Sequence, residues 1–337
     1  MLIFWLLIIL FLCIIEPFAT YFWDTKKLRR FPNATRFSGI FNISFILQRL
    51  RGFRSKEIHL IHQKHHVLRI GPNTISFSSP SAIKAIYGHS TPCIKGGSYA
   101  AALRSHPGLI EVIDKQQHAS KRRILSHAFA TRNLEEWEFK VVDKVQRLLR
   151  QFDRICLEER AGGSENGIVD FRRWANLFSV DAIVDIALSE RSGCLDRGDD
   201  LITIITSEGR SKAVRFIKTL HAARRPTSMF IWSSWYWYLE LILKNIPGFF
   251  RDQRQVGRGF TEIIEHLVRQ RLKRYHQGEE LDDLTSCLLE NKAGQARNLI
   301  VEEIEGDITT LRKYFLAKTI NSVANCYQWM PGPTQRP

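Results

Sequence analysis

Gln116-Gln-His-Ala-Ser-Lys-Arg-Arg-Ile-Leu-Ser-His-Ala-Phe-Ala-Thr131 is the stretch from which the rest of the chain is read, because at helical spacing it mixes a cation with core residues. His118, Arg122, Leu125 and Phe129 recur at intervals of three and four, with Ile124 and Ala128 flanking them. That stripe predicts an inward-pointing Arg122. A guanidinium does not shed its proton, so burying it is costly unless an anion meets it. Two readings follow. Either Arg122 carries its head to water or to a local Glu, or it holds an acidic group that the helix does not itself supply.

Composition narrows the setting. The 337 residues suffice for two ordinary domains or one large one, and 44% hydrophobic with 25% charged residues is ordinary for a globular protein. The formal charge of +15 is not ordinary and points to nucleic acid, an anionic membrane surface or an acidic ligand. Lys and Arg are spread along the whole chain, with no zinc-finger spacing, basic zipper or RNA-binding aromatic motif. No nucleic-acid partner is expected. Cys13, Cys93, Cys156, Cys194, Cys287 and Cys326 lie far apart with no Cys-x-x-Cys pair, which suits reduced cytosolic thiols.

Residues Leu2 to Ile15 are all apolar, and after Glu16 and Pro17 the apolar character resumes through Phe18, Tyr21, Phe22 and Trp23. Spanning the hydrocarbon core takes about 20 residues, so 1–23 is expected to be a single-pass membrane anchor in the lipid bilayer. Lys26, Lys27, Arg29 and Arg30 follow at once, which places the body in the cytosol. A cleaved signal peptide would carry its basic residues ahead of the apolar run. The sequons at Asn33 and Asn42 would then face the wrong side of the membrane for glycosylation. Residues 24–44 read as a basic, Pro-containing hinge, with Leu28-Arg-Arg-Phe-Pro32 extended.

A helix from about Phe45 to Lys64 leads into two short strands, His66–Ile70 and Thr74–Ser78, joined by the turn Gly71-Pro-Asn73. Ser79 can cap the next helix with Pro80 at its first position, and Gly88 can end it. This stretch, His65-His-Val-Leu-Arg-Ile-Gly-Pro-Asn-Thr-Ile-Ser-Phe-Ser-Ser-Pro-Ser-Ala-Ile-Lys-Ala-Ile-Tyr-Gly88, resembles the amino-terminal hairpin and following helix of fungal microsomal cytochromes P450. In that family an anchor, a basic stretch and a Pro-rich hinge come first, and all three stand here in order. His118-Ala-Ser-Lys-Arg122 is in turn similar to the family's aromatic-x-x-x-Arg helix, whose Arg pairs with a haem propionate. The resemblance thus supplies the anion. It implies that His118 and Arg122 are haem contacts rather than ligands, and that Lys121 and Arg123 are solvent-side charges.

Farther along, Leu134 to about Glu159 reads as one long helix with Trp137, Val141, Val145, Leu148 and Phe152 facing the core. Val169–Leu188 reads as another, and its Val180–Leu188 part with Cys194-Leu195 is similar to the family's buried helix ahead of the substrate-capping region. Asp181 and Asp185 stand at metal-ligand spacing, but no His or third carboxylate accompanies them, and no metal site is assigned. The aromatics between Met229 and Phe250 suit a substrate channel, a membrane interface or ordinary core, and by resemblance they lie where lid helices cover the active site. Phe260–Tyr275 is amphipathic, with Ile263, Ile264, Leu267, Val268 and Leu272 inward and Arg269, Arg271, Lys273 and Arg274 outward. Asp282–Glu290 again resembles the family.

Leu299 to Leu311 looks like the first half of the family's oxygen-binding helix, and there the pattern changes. The family continues with Ala/Gly-Gly-x-Asp/Glu-Thr, whereas this chain has Arg312-Lys-Tyr-Phe-Leu-Ala-Lys-Thr-Ile-Asn321. No Glu-x-x-Arg pair or Phe-x-x-Gly-x-Arg-x-Cys loop follows, and the surroundings of Cys326 do not match that ligand loop. The expectation is a mainly α fold with a small β-sheet (α+β), an incomplete cytochrome P450-like domain over 45–311, and a divergent tail over 312–337. As a family member it implies haem, a small hydrophobic substrate and electrons from NADPH-cytochrome P450 reductase at the endoplasmic reticulum. With no thiolate ligand in the chain, a truncated and inactive monooxygenase polypeptide is expected. The alternative is a non-catalytic, membrane-anchored helical protein that binds partners or lipid through its basic surface. A hydrolase is disfavoured, since no Gly-x-Ser-x-Gly motif is present.

Overall fold

The Gly-Pro-Asn turn closes a hairpin as its residues predict: β1 (Val67–Gly71) pairs antiparallel with β2 (Thr74–Phe77), Val67 opposite Phe77 and Gly71 opposite Thr74. This computed structural model describes residues 11, 15–88, 90–96, 99, 108–160, 169–206, 209–230, 236–243, 245, 247–290 and 304. The chain divides into two units, Met1–Ser98 with Thr227–Ile242, and Tyr99–Pro226 with Leu243–Pro337.

In the first unit, the expected single helix over 45–64 is two helices, α1 (Ile43–Arg51) and α2 (Arg54–His62). Gly52 separates them at φ 80°, a left-handed conformation that glycine adopts without steric cost. His62 at the end of α2 ties it to β2 through Nε2 and Ser76 Oγ, 2.8 Å apart. Leu28–Arg30 form a 3-10 turn whose first N–H groups are taken by the Asp24 carboxylate. The chain then docks on β1: Arg69 N–H donates to Pro32 O (2.8 Å) and Ala34 N–H to Arg69 O (2.9 Å). After β2, Pro80 opens α3 (Pro80–Tyr87). The expected anchor falls largely outside the described residues. Residues 15–23 are helical, and among the described residues no helix is long and apolar enough to cross a membrane.

The described residues of the second unit are helical apart from one hairpin and the connecting loops. In order come α4 (Lys115–Ala128), α5 (Thr131–Glu136), α6 (Glu138–Arg160), α7 (Phe171–Leu188) and α8 (Cys194–Arg197). Then follow β3 (Leu201–Ile205), β4 (Ser211–Arg215), α9 (Phe216–Phe230, in this unit up to Pro226), α10 (Tyr236–Leu243, in the first unit up to Ile242), α11 (Phe249–His276) and α12 (Leu284–Leu289). The hairpin β3–β4 was not anticipated, although its signal is present: the β-branched run Ile202-Thr-Ile-Ile205 and Gly209 at φ 76° in the turn. Ile202 and Ile204 alternate into the core against Phe260, Ile263 and Leu267 of α11, while α7 supplies Leu177, Val180, Val184 and Leu188. The expectation of a mainly helical fold with little sheet holds, as two separate two-stranded sheets.

The long helix expected from Leu134 is broken at Trp137; of its expected inward residues Trp137 is buried and Leu148 and Phe152 pack half-buried against the core, but the rest of the face differs. Val141 and Val145 are exposed, whereas Lys140, Lys144 and Gln151 are buried. A lysine can face inward only where acceptors meet it, and here they come from Asp143 on α6 itself, from α7 and the residue that ends it, and from the segment leading into α12. Lys144 Nζ sits 2.6 Å from Asp185 Oδ2 and 2.8 Å from Asp143 Oδ2. Lys140 Nζ donates to Ser189 Oγ (3.0 Å) and Asp282 O (2.7 Å). Burial by itself lowers the Lys144 pKa, and the two carboxylates more than reverse it. Asp181, the other half of the metal-like spacing, accepts the backbone N–H of Cys194 (3.0 Å) and Leu195 (2.9 Å), capping α8.

On α11 the five expected inward residues are buried, but Arg271, expected outward, is buried too, with its side chain 1% exposed. Its Nε donates to Asp283 Oδ2 at 2.6 Å, and Asp283 also accepts the Ser286 N–H at 2.8 Å in a capping box that starts α12. Where α11 crosses α9, a Cβ on Gly257 would lie 2.7 Å from the Ala223 Cα.

Three outcomes are expected. Gly257→Val forces α9 and α11 apart and should cost about 1–3 kcal/mol in urea unfolding; an unchanged midpoint would mean the crossing is loose. Asp185→Asn leaves two buried ammonium groups short of counter-charge and should cost about 3–5 kcal/mol, whereas a loss near zero would show that the lysines reach water. Hydrogen bonds from Arg147 and then Lys144 hold the Asp143 carboxyl at about 2, below its ordinary 3.8. A depressed folded-state value contributes stability above about pH 4, lost as pH falls through about 2, so Asp143→Asn should flatten the acid limb of a stability–pH curve.

Candidate functional site

Helix α4 begins where Asp114 takes the Gln117 N–H on Oδ1 at 2.8 Å, and His118 N–H donates to Asp114 O at 2.9 Å. The helix runs to Ala128 and packs on α12, burying Leu125 and Ala128, with Ile124 and Phe129 half-buried against the same core. His118 and Lys121 are half-buried, and Arg122 and Arg123 are exposed. The inward line is therefore His118, Lys121, Leu125 and Ala128, one helical step from the line through Arg122 read in the sequence.

The physical reason is the seat of α12. It meets α4 at Leu125 and Ala128, and a residue three positions before Leu125 lies about 60° around the helix from it. Arg122 thus stands on the flank of the buried face. Among the described residues it makes no ion pair, so its fork of donors is open to an acid from outside the helix. Arg123 and Lys115 add positive charge, and Asp114 is the acidic residue at the helix start. His118 precedes Arg122 by four residues, so the two lie on adjacent turns. The arrangement can bind a carboxylate or phosphate. It has no nucleophile–base pair.

Fit to a haem can be tested on these donors. An exposed, unpaired guanidinium with an imidazole one turn away matches the carboxylate edge of the macrocycle. The described cysteines do not extend that fit to the iron. Cys194 is fully buried in the core and burial pushes its thiol up to about 12, against thiolate formation. Cys287 is half-buried and touched by Asn133 Nδ2 at 3.9 Å. Cys93 and Cys156 are exposed, and Cys13 and Cys326 lie outside the described residues.

Two other expected parts also lie mostly outside the described residues. In the stretch that resembles the oxygen-binding helix, Ile304 alone is described, and it is buried in the second unit's core. Of the aromatics between 229 and 250, Phe249 and Phe250 are described with their side chains, packed edge to face at 5.3 Å. Asp181 and Asp185 are spent on helix capping and lysine pairing, as described above.

Comparison with known proteins gives a consistent picture. A cytochrome P450 family model matches residues 39–312. Benzoate 4-monooxygenase bphA of Aspergillus niger is 26% identical over 272 residues, covering 80% of this chain and 52% of that protein. The cytochrome P450 monooxygenase traB of Penicillium crustosum is 27% identical over 311 residues, covering 89% and 56%. Averantin hydroxylase of Dothistroma septosporum is 25% identical over 278 residues, covering 81% and 48%. The chain spans about half the length of the curated relatives it matches. Among solved structures, retinoic acid-bound cyanobacterial CYP120A1 superposes with a TM-score of 0.56 at 15% identity, covering 82% of this chain and 55% of that one, a likeness of fold. With most of its length matched by the family model and its helices and small sheets arranged as in that fold, the chain belongs to the cytochrome P450 family.

Proposed function

We propose that this chain is part of a P450-type monooxygenase that oxidises small hydrophobic molecules, of the kind found in fungal secondary metabolism. Family membership supports this over a non-catalytic, anchored helical protein. The observation that carries it to particular residues is the exposed, unpaired guanidinium of Arg122, one turn from His118 on α4. In this reading Arg122 would hold a haem propionate by charge-assisted hydrogen bonds, with His118 beside it on α4. Haem, when bound, supplies the family's oxygen-activating chemistry. Arg122 would orient the group and offset its carboxylate charge, and Leu125 and Ala128, buried in the core, anchor the helix that carries it.

The sequence contains no Phe-x-x-Gly-x-Arg-x-Cys loop, so the chain by itself is proposed to hold the carboxylate edge of the site without an iron-binding thiolate, and to be inactive alone. Electrons would come from NADPH-cytochrome P450 reductase. The apolar run Leu2–Ile15 followed by Lys26, Lys27, Arg29 and Arg30 supports attachment to the endoplasmic reticulum with the body in the cytosol, a reading that rests on the sequence.

A reduced, carbon monoxide-bound difference spectrum of membranes expressing the chain with haem supplied tests the proposal. With the protein shown to be present, no thiolate-type Soret band is expected; such a band would mean that a cysteine of this chain completes the site. Any haem that does associate should be lost about tenfold more readily from Arg122→Ala, the magnitude of one charge-assisted contact, and unchanged retention would remove Arg122 from the site.

A further inference from the structure

Among the described residues Arg69 is the most deeply buried cation of the first unit, 3% exposed on strand β1. Its Nη2 donates to Pro72 O at 2.7 Å. Its Nε and Nη1 are buried and have no acceptor. The guanidinium carbon lies 5.2 Å from the centre of the Tyr21 ring, whose face offsets charge but offers no lone pair to an N–H. Asp24 compensates at a distance only, because its carboxylate is engaged by the N–H groups of Leu28 and Arg29. Leaving charged donors buried and unmatched is costly, so the position calls for an acceptor.

Arg69 also walls a cleft of about 270 Å³ formed by residues 16–21, 39–46 and 69–73. Phe41, Ile40 and Ile46 make one side apolar, and Phe41 is braced edge-on by Phe18 at 5.5 Å. At the other side Asn73 accepts a hydrogen bond from Lys26 Nζ at 3.1 Å, which brings a second cation to the rim. Glu16 is the acidic wall residue and makes no hydrogen bond to the two orphaned nitrogens. The shape is built: a Cβ on Gly39 would meet Tyr21 Cε2 at 2.8 Å, and one on Gly71 would meet Asn42 Oδ1 at 2.9 Å. Burial holds the Arg69 pKa below its ordinary value, yet a guanidinium that starts so high stays charged.

We propose that this cleft is a binding site for an oxyanion, a carboxylate or phosphate bearing a short apolar tail, with Arg69 taking the oxygens and Phe41, Ile40 and Ile46 the tail. The site uses no residue of α4 and does not depend on haem. Its ligand comes either from an anionic lipid or from a free anion, and both present the same oxygens to Arg69.

Calorimetric titration of the whole chain with dodecyl phosphate below its micelle concentration, with inorganic phosphate and with a neutral dodecyl glycoside separates these sources. Saturable binding of dodecyl phosphate at one per chain is expected, weakened at least tenfold in Arg69→Gln, with no binding of the glycoside. Inorganic phosphate binding as tightly, and as dependent on Arg69, would keep the site and identify its ligand as a free anion. Ile46→Trp fills the apolar side while leaving the guanidinium in place, and should abolish dodecyl phosphate binding without lowering the melting temperature. That variant decides the matter if Arg69→Gln does not fold. Unchanged binding in folded Arg69→Gln, or in Ile46→Trp, would overturn the proposal, as would the absence of binding by either anion.

Discussion

A buried arginine–aspartate pair organises the second unit. Arg271 and Asp283 have side chains 1% and 0% exposed, and either one alone in that place would be an uncompensated charge in the core. The pair fixes more than itself. Asp283 starts α12, its neighbour Asp282 takes the Trp137 indole N–H at 2.9 Å, and the Asp282 carbonyl receives Lys140. Thr285 Oγ1 then donates to Ala187 O at 2.6 Å, which seats α12 on the end of α7. One short acidic segment thereby sets the positions of α5, α6, α7, α11 and α12. Because α12 also packs on Leu125 and Ala128 of α4, the flank on which Arg122 stands is set by the same pair.

Cations reach the interior repeatedly in this strongly basic chain, and each is handled differently. Lys140 and Lys144 are matched by carboxylates and carbonyls, Arg271 by a capping aspartate, and Arg274 by Glu190 and Glu279 near the surface. Such pairs add little net stability over apolar packing, since desolvation offsets the attraction, but they penalise every arrangement that separates the partners. Arg69 differs, since two of its three nitrogens have no acceptor. Arg122 differs again, lying exposed and without a described counter-ion. These two guanidinium groups, one in each unit, thus lack a counter-ion among the described residues in contact with them.

The sequence by itself determined what local chemistry controls. Apolar periodicity marked α7 and the inward residues Ile263, Ile264, Leu267, Val268 and Leu272 of α11, and Gly71-Pro-Asn73 marked the hairpin turn. The motifs around the hairpin and His118–Arg122 sufficed to indicate the family that the 39–312 match bears out. The break at Gly52 and the hairpin β3–β4 were legible in principle, from a glycine and a β-branched run.

Only the tertiary structure decided which way the cations point. By charge alone Lys140, Lys144 and Arg271 read as solvent-side residues, yet at about 100° per residue Arg271 falls between Ile264 and Leu267, and Lys144 within about 40° of Trp137 and Leu148, on the apolar faces; Val141 and Val145 read as core and are exposed. The reason is that a cation's burial depends on acceptors remote in sequence: Asp185 is 41 residues from Lys144, and the Asp282 carbonyl 142 from Lys140. Helical spacing carries no term for such partners. The same holds for Arg122, whose flank position follows from where α12 lands, and for Arg69, whose deep burial comes from the docking of Pro32–Ala34 and Tyr21 onto its strand.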